Sequence, residues 1–250
     1  MIKVVLLGFG NVNSHLFKAF NKSEKAAVIQ VYNRTNISAE PSLEGIPFTD
    51  SIDEINEADV YIIGIADDAI ERFSESLSFH NRLVVHTSGG APMERLSDKN
   101  RRGIFYPLQT FSKNKNINFD KIPICIEAEN PDDLKLLEDL GRSISEVVVE
   151  IDSEKRAKLH VAAVFVNNFV NYLYYIGEDI LKEEDIPFDL LKPLIQETGN
   201  KIQSLSPKLA QTGPAKRNDT KTIEKHLNLL EHSSYKEVYL MLTQKLKHSI

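Results

Sequence analysis

Lys3-Val4-Val5-Leu6-Leu7-Gly8-Phe9-Gly10-Asn11-Val12-Asn13 carries the strongest fold signal near the N-terminus. Its first five residues are a short apolar run that glycine ends, the signature of a strand buried on both faces. Helix spacing begins at once, with Leu16, Phe17 and Phe20 on one face of a helix predicted over Val12–Phe20. Strand, glycine turn and helix in that order make a weak glycine pattern informative. Gly8 permits the tight turn, and Gly10, lacking a Cβ, lets a pyrophosphate approach the backbone. The N–H groups that open the helix then face the anion. Phe9, Asn11 and Val12 complete this candidate cofactor-binding turn. The third fingerprint position is Asn13 rather than Gly or Ala. A glycine there serves helix–strand packing, so the helix is expected to sit slightly outward.

Working outward, apolar strands alternate with helices through about residue 151. Further strands are predicted over Ala27–Tyr32, Val60–Ile65, Arg82–Val85, Ile104–Tyr106, Ile122–Ile126 and Glu146–Ile151. Helices are predicted over Asp67–Leu77 and Pro131–Leu140, the latter with proline in its first turn. This alternation predicts an α/β fold, a Rossmann-like doubly wound parallel sheet covered on both faces. After Asp152 the pattern becomes helical, giving a dinucleotide-binding domain over 1–152 and an all-α domain over 153–250. Glu154–Leu181 reads as one helix of about 28 residues, some 42 Å long. It is apolar nearly all round, so it is expected to be buried, with a second copy of the chain supplying what the small domain cannot. A homodimer through the helical domain follows. A membrane span is the poorer reading of this helix, because His160, Asn167, Asn168 and Asn171 are costly in lipid.

Composition narrows the function. The 250 residues carry 30 Lys and Arg against 36 Asp and Glu, a net charge of −6, which disfavours nucleic acid as the partner. The apolar fraction of 42% supports a sizeable core. Cys125 is the one cysteine, so no disulfide framework or multi-cysteine metal site is available. The histidines show no ligand spacing, and no metal is expected. The opening strand leaves no room for a secretory leader, so a cytoplasmic location is expected.

In open α/β sheets a ligand lies beyond the carboxyl ends of the strands. The second strand ends Tyr32-Asn33-Arg34-Thr35 without a carboxylate. NAD sites place Asp or Glu there, whereas Arg34 pairs with a 2′-phosphate and Thr35 adds a hydroxyl. NADP(H) is therefore the expected cofactor. The third strand ends Gly64-Ile65-Ala66-Asp67, where Ala66 is a further cofactor contact and Asp67 a helix cap. The fourth ends His86-Thr87-Ser88-Gly89-Gly90, which offers His86 and Ser88 as catalytic candidates. Tyr106 and Gln109 follow on a segment that could line the substrate.

These motifs, with Val166-Asn167-Asn168-Phe169 and Thr212-Gly213-Pro214-Ala215-Lys216-Arg217-Asn218-Asp219, resemble an uncharacterised bacterial family over essentially the whole chain. Its members pair a Rossmann-like domain with a helical domain of unknown function and are described as candidate NADP oxidoreductases. More distantly the layout resembles pyrroline-5-carboxylate reductase and the 6-phosphogluconate-dehydrogenase-like proteins. That resemblance implies a dinucleotide domain, a helical domain with a long buried helix, and dimers. It does not imply a substrate. The hydroxyacid dehydrogenases of that superfamily carry a lysine closely followed by asparagine on the long helix. Here Lys158 precedes Asn167 by nine residues, a departure from the pattern.

On the long helix His160 and Asn167 are seven residues apart, two α-helical turns along one face, with Asn168 to one side. His160 is the candidate proton donor, and Asn167 and Asn168 are candidates to orient the substrate. Lys216 and Arg217 offer charges for an anionic group, and Asp219 is placed to cap the next helix. From Ser206 on, eight Lys and Arg meet four Asp and Glu, a local positive excess. The expected function is an NADP(H)-dependent oxidoreductase acting on a small, anionic carbonyl or imine metabolite in a cleft between the domains. The alternative is a non-catalytic dinucleotide-binding sensor or scaffold.

Overall fold

The computed structural model describes residues 1–37, 43, 45–112 and 115–249. The chain divides into two compact units, Met1–Asn167 and Asn168–Ile250. The first carries an eight-stranded sheet in the order β3-β2-β1-β4-β5-β6-β7-β8. Its strands are β1 (Ile2–Leu7), β2 (Ala26–Tyr32), β3 (Phe48–Thr49), β4 (Val60–Ile63), β5 (Leu83–His86), β6 (Arg101–Pro107), β7 (Ile124–Ala128) and β8 (Val148–Glu150). Helices α1 (Asn11–Phe20), α2 (Ile70–Ser76) and α3 (Pro131–Arg142) connect them. This is the Rossmann-like α/β arrangement, with the strand order reversing at β1.

Strand alternation explains the core. Val4 and Leu6 of β1 join Leu16, Phe17 and Phe20 of α1 in one buried cluster. Val5 and Leu7, pointing the other way, join Tyr61, Ile63 and Ile70 in a second. Both faces of β1 are thus closed, which is why its sequence is continuously apolar.

The expectation of an all-parallel sheet needs correction at one place. β6 and β7 pair antiparallel, with Tyr106 opposite Cys125. The connection between them contains no crossover helix among its described residues, and a parallel pair requires a crossover. β7 and β8, joined through α3, are parallel again.

The long helix also departs from expectation. It is α-helical over α4 (Ser153–Ala163), π-helical over Val164–Phe169 and α-helical again over α5 (Val170–Lys182). An i→i+5 stretch carries more residues per turn, so the seven-residue spacing of His160 and Asn167 no longer keeps them on one face. The helix is not buried within this chain: Phe165 is 62% and Val166 74% exposed. The units divide inside the π-helical stretch, at Asn167 and Asn168, whereas the sequence changes character at Asp152. The side chain of Asp152 caps α4 by accepting from the Lys155 N–H. Arg156 and His160, in the turns that follow, bond within the first unit.

The second unit is helical, with α6 (Lys192–Ser204), α7 (Pro207–Ala210), α8 (Thr220–Leu229) and α9 (Lys236–Ser249) after α5. Asp219 caps α8 as expected, its carboxylate accepting from the Thr222 N–H at 3.1 Å. Tyr235 donates to Asp179 at 2.6 Å, joining the start of α9 to α5. Among the described residues no helix is long and apolar enough to cross a membrane.

Candidate functional site

The glycine turn has the geometry its sequence requires. Gly8 takes a φ of +86°, and a Cβ there would stand 2.5 Å from Ile65 Cγ2. A Cβ on Gly10 would meet Gly64 O alone, at 3.6 Å, so the space over Gly10 is open. α1 begins at Asn11 with no acidic side chain in its first turn and no side-chain cap. Phe9 and Val12 are half-buried and Asn11 is exposed. Unspent N–H groups, a bare backbone and no competing carboxylate fit a pyrophosphate.

Asn13 does not act as the sequence suggests. It is fully buried, and its amide Nδ2 donates to Gly8 O at 2.7 Å, Ile62 O at 3.1 Å and Leu7 O at 3.3 Å. Room for it comes from Gly64, where a Cβ would fall 2.4 Å from Asn13 Cγ. The third glycine of the fingerprint is in effect displaced to the end of β4. The amide stitches α1 to β1 and β4 where outward displacement of the helix was expected.

At the end of β2, Asn33 joins two parts of the cofactor turn. Its Oδ1 accepts from the Phe9 N–H at 3.0 Å and its Nδ2 donates to Thr35 O at 2.8 Å. Arg34 and Thr35 are exposed between these anchors. Asn33 is therefore a staple, and Arg34 is the group free to meet a phosphate. Ala66 is exposed after β4, in extended backbone that opens the turn Asp67–Ala69. Asp67 caps no helix; its carboxylate accepts from Ser88 Oγ at 2.7 Å.

The roles expected for His86 and Ser88 need correction. His86 is fully buried, and both ring nitrogens are engaged with its own turn. Nδ1 accepts from the Ser88 N–H at 3.2 Å, so Nε2 carries the proton and donates to Pro92 O at 3.2 Å. Burial, above all, holds this imidazole neutral, with a pKa lowered to about 4. Ser88 commits its one proton to Asp67 and accepts from the N–H groups of Gly90 and Ala91. Both side chains fix the β5 turn and have no proton free for a substrate.

What that turn presents instead is Gly89. A Cβ there would meet His160 Nδ1 at 2.5 Å and Tyr106 Cζ at 2.7 Å. Tyr106, from the end of β6, and His160, from α4, pack against this bare backbone with Oη and Nδ1 3.2 Å apart. Their rings meet edge to face. Burial pushes the Tyr106 phenol above its ordinary value, nearby Cys125 adds to this, and the Arg156 charge draws it back. The phenol is thus a neutral O–H at physiological pH, held by an imidazole and able to donate.

Behind the pair lies a residue that sequence reasoning passed over. Arg156 is fully buried, donating to Glu127 Oε2 at 2.6 Å and to Ala91 O at 2.5 Å. Its signal was a guanidinium four residues before His160 at the start of an apolar helix. A strongly basic side chain is almost never fully buried without a partner.

The other candidates do not join this cluster within the first unit. Asn167 is exposed, and Gln109 is exposed with its Oε1 accepting from the Thr110 N–H. In the second unit Asn168, Lys216 and Arg217 are exposed, and Lys216 donates to Gln211 O at 2.8 Å. The asparagines are therefore not a buried polar stripe. Among the described residues no three His, Cys, Asp or Glu side chains gather as a metal site would need.

Comparison with known proteins adds kinship to this geometry. Residues 122–246 match a family described as a domain of unknown function, DUF2520. A crystal structure of a candidate NADP oxidoreductase from Bacteroides fragilis is 36% identical, with a TM-score of 0.89 over 99% of this chain and 98% of that one. A Thermotoga maritima protein is 20% identical, with a TM-score of 0.77 over 98% and 97% of the two chains. A 1-pyrroline-5-carboxylate reductase from Streptococcus pyogenes is 15% identical, with a TM-score of 0.63 over 99% and 97%. The last two likenesses are of fold alone. No curated protein matches the chain in sequence.

Proposed function

The chain belongs to the DUF2520 family, and for this member we propose an NADP(H)-dependent oxidoreductase that reduces a carbonyl or imine carbon of a small anionic metabolite. The observation that carries the reading is the Tyr106–His160 pair, packed on Gly89 at the end of β5. It belongs to the same unit as the glycine turn, beyond the carboxyl ends of the strands, where ligands of such sheets lie. The candidate NADP oxidoreductase from Bacteroides fragilis, 36% identical throughout, supports the cofactor.

Gly8 and Phe9 would shape the turn, their N–H groups being taken by Tyr32 O and Asn33 Oδ1, while Gly10, Asn11 and Val12 would hold the pyrophosphate, with Ala66 beside it, and Arg34 and Thr35 would take the 2′-phosphate. When bound, the nicotinamide supplies a hydride to the substrate carbon. The chain supplies the proton. Tyr106 Oη donates to the substrate oxygen or nitrogen and recovers a proton from protonated His160 at Nδ1. His160, half-buried, regains it from solvent. His160, expected as the donor itself, thus acts one step back from the substrate. The anionic character of the substrate rests on Lys216 and Arg217; Gln109, Asn167 and Asn168 are polar groups that could orient it. A homodimer through the helical region belongs to the same proposal, supported by Phe169, Tyr172 and Tyr175, each about half exposed. So does a cytoplasmic location, which suits a lone, buried Cys125 thiol.

The test has two stages. NADPH and NADH are titrated against the full chain by thermal shift, and NADPH oxidation is then followed over a panel of oxo and imino acids. Preferential stabilisation by NADPH with turnover of at least one panel member is the expected result. Stabilisation by neither nucleotide sinks the cofactor reading; stabilisation without turnover leaves a nucleotide-binding sensor in its place.

A further inference from the structure

Among the described residues Arg156 is the largest fully buried side chain, and it belongs to neither the nucleotide turn nor the apolar core. Its Nη1 donates to Glu127 Oε2 at 2.6 Å on β7. Its Nη2 donates to Ala91 O at 2.5 Å and to Ser153 Oγ at 3.1 Å. Ser153 closes the network: its Oγ donates to Glu127 Oε2 at 2.7 Å and accepts from the Met93 N–H at 3.1 Å. Its N–H donates to Glu127 Oε1 at 3.0 Å. The first turn of α4 is thereby bolted to β7 and to the segment 91–93.

That segment continues the turn holding Gly89, and Gly89 is the floor on which His160 rests. Arg156 and His160 are four residues apart, neighbours on one helix face. The guanidinium therefore fixes the rotation and height of α4 about one turn before the imidazole that must meet Tyr106. A second observation points the same way. The Nε–H of Arg156 is buried without an acceptor, so the arginine is not optimised as a stabilising ion pair. Buried pairs are often replaceable by apolar side chains without loss of stability, and one with an unpaired N–H is a poor stabiliser.

We propose that Arg156, held by Glu127 and Ser153, is a positioning residue that sets His160 against Tyr106 and so maintains the proton-delivering pair. This rests on the reading of that pair as the proton source, but the geometric part stands apart from it. The experiment uses the full chain labelled with nitrogen-15 in histidine, His160→Asn serving to assign the ring. Arg156→Lys keeps the charge but cannot fork to Glu127, Ala91 and Ser153 together. Arg156→Met with Glu127→Leu removes the pair without leaving a buried carboxylate alone.

In the double variant the His160 Nδ1 resonance is expected to lose its hydrogen-bonded position, with the Kd for NADPH within roughly twofold of wild type. For any panel substrate, kcat falls roughly tenfold or more while KM stays within about threefold, the signature of an interaction lost at the transition state. Arg156→Lys shows an intermediate resonance and partly restored kcat. An unchanged His160 ring in the double variant overturns the proposal, as does a loss of NADPH affinity equal to the loss of kcat. If the double variant does not fold, an unchanged ring in Arg156→Lys overturns it alone. If no panel member turns over, the proposed activity fails, while the ring resonance still decides the positioning role.

Discussion

Tyr106 Oη and His160 Nδ1 lie 3.2 Å apart across 54 residues of sequence, joining the end of β6 to the second turn of α4. One residue comes from a sheet and the other from the helix that follows it, so the contact exists only when both are docked. Burial moves the phenol's pKa still further above the physiological range, so it stays a neutral O–H beside the His160 imidazole.

Tyr106→Phe removes the hydroxyl and little else. NADPH oxidation with a panel substrate should fall roughly 10²–10⁴-fold, the usual worth of a positioned proton donor. NADPH affinity by fluorescence titration should be unchanged. Full activity in Tyr106→Phe would remove the phenol from the chemistry.

Gly89→Ala places a methyl group 2.5 Å from His160 Nδ1 and 2.7 Å from Tyr106 Cζ. Both rings must move, and overpacking of this kind costs about 1–3 kcal/mol. Activity should fall much as in Tyr106→Phe, while urea unfolding shows the stability loss. Wild-type turnover in Gly89→Ala would mean that the pair need not be held as found.

Arg34→Ala tests the cofactor preference. A lost charge-assisted bond to a 2′-phosphate should weaken NADPH binding roughly tenfold, or about 1.4 kcal/mol, and leave NADH untouched. Parallel titration of both nucleotides reads the difference, and an unchanged NADPH/NADH ratio would exclude Arg34 from phosphate recognition.

Asn13→Ala should cost stability before anything else. Gly8 O loses its 2.7 Å side-chain donor while Leu7 O keeps the Gly64 N–H at 2.8 Å, and a buried group left unsatisfied costs about 1–3 kcal/mol. Chemical denaturation should show a loss of about 1–3 kcal/mol. Asn13→Gly, which restores the usual fingerprint residue, should be no more stable than Asn13→Ala, because Gly64 already provides the close approach.

His86 makes the fold sensitive to acid. Its folded pKa, about 4, lies below the ordinary 6.5, with burial the main cause and Arg156 acting in the same direction. The unfolded chain therefore binds a proton between pH 6.5 and 4 that the folded chain refuses. Stability is thus fully present above pH 6.5 and falls as pH drops to about 4, by about 3 kcal/mol in total. Urea midpoints at pH 7 and 4.5 should show most of that loss in wild type. In His86→Gln, less stable at pH 7 through its lost turn contacts, the further loss on acidification should be smaller by about 2–3 kcal/mol.

The strand–turn–helix at the N-terminus, the alternation behind the sheet, the bare backbone at Gly8 and Gly10, and the basic end of β2 are all legible along the chain. These are local signals: side-chain periodicity, a φ only glycine adopts readily, and a missing carboxylate within a few residues of the strand end. The rest arises from contacts between distant parts of the chain. Tertiary packing turned His86 and Ser88 inward onto their own loop, since a β5 turn so deeply buried must satisfy its own N–H groups. It reversed β7 against β6, where no crossover helix intervenes among the described residues. A π-helical stretch dissolved the asparagine stripe, because α-helical spacing does not survive a change in residues per turn. Most of all it brought Tyr106, His160 and Arg156 together. Strand register and the docking of α4 place those three residues, and both are set by contacts far apart in the chain, which no local pattern encodes.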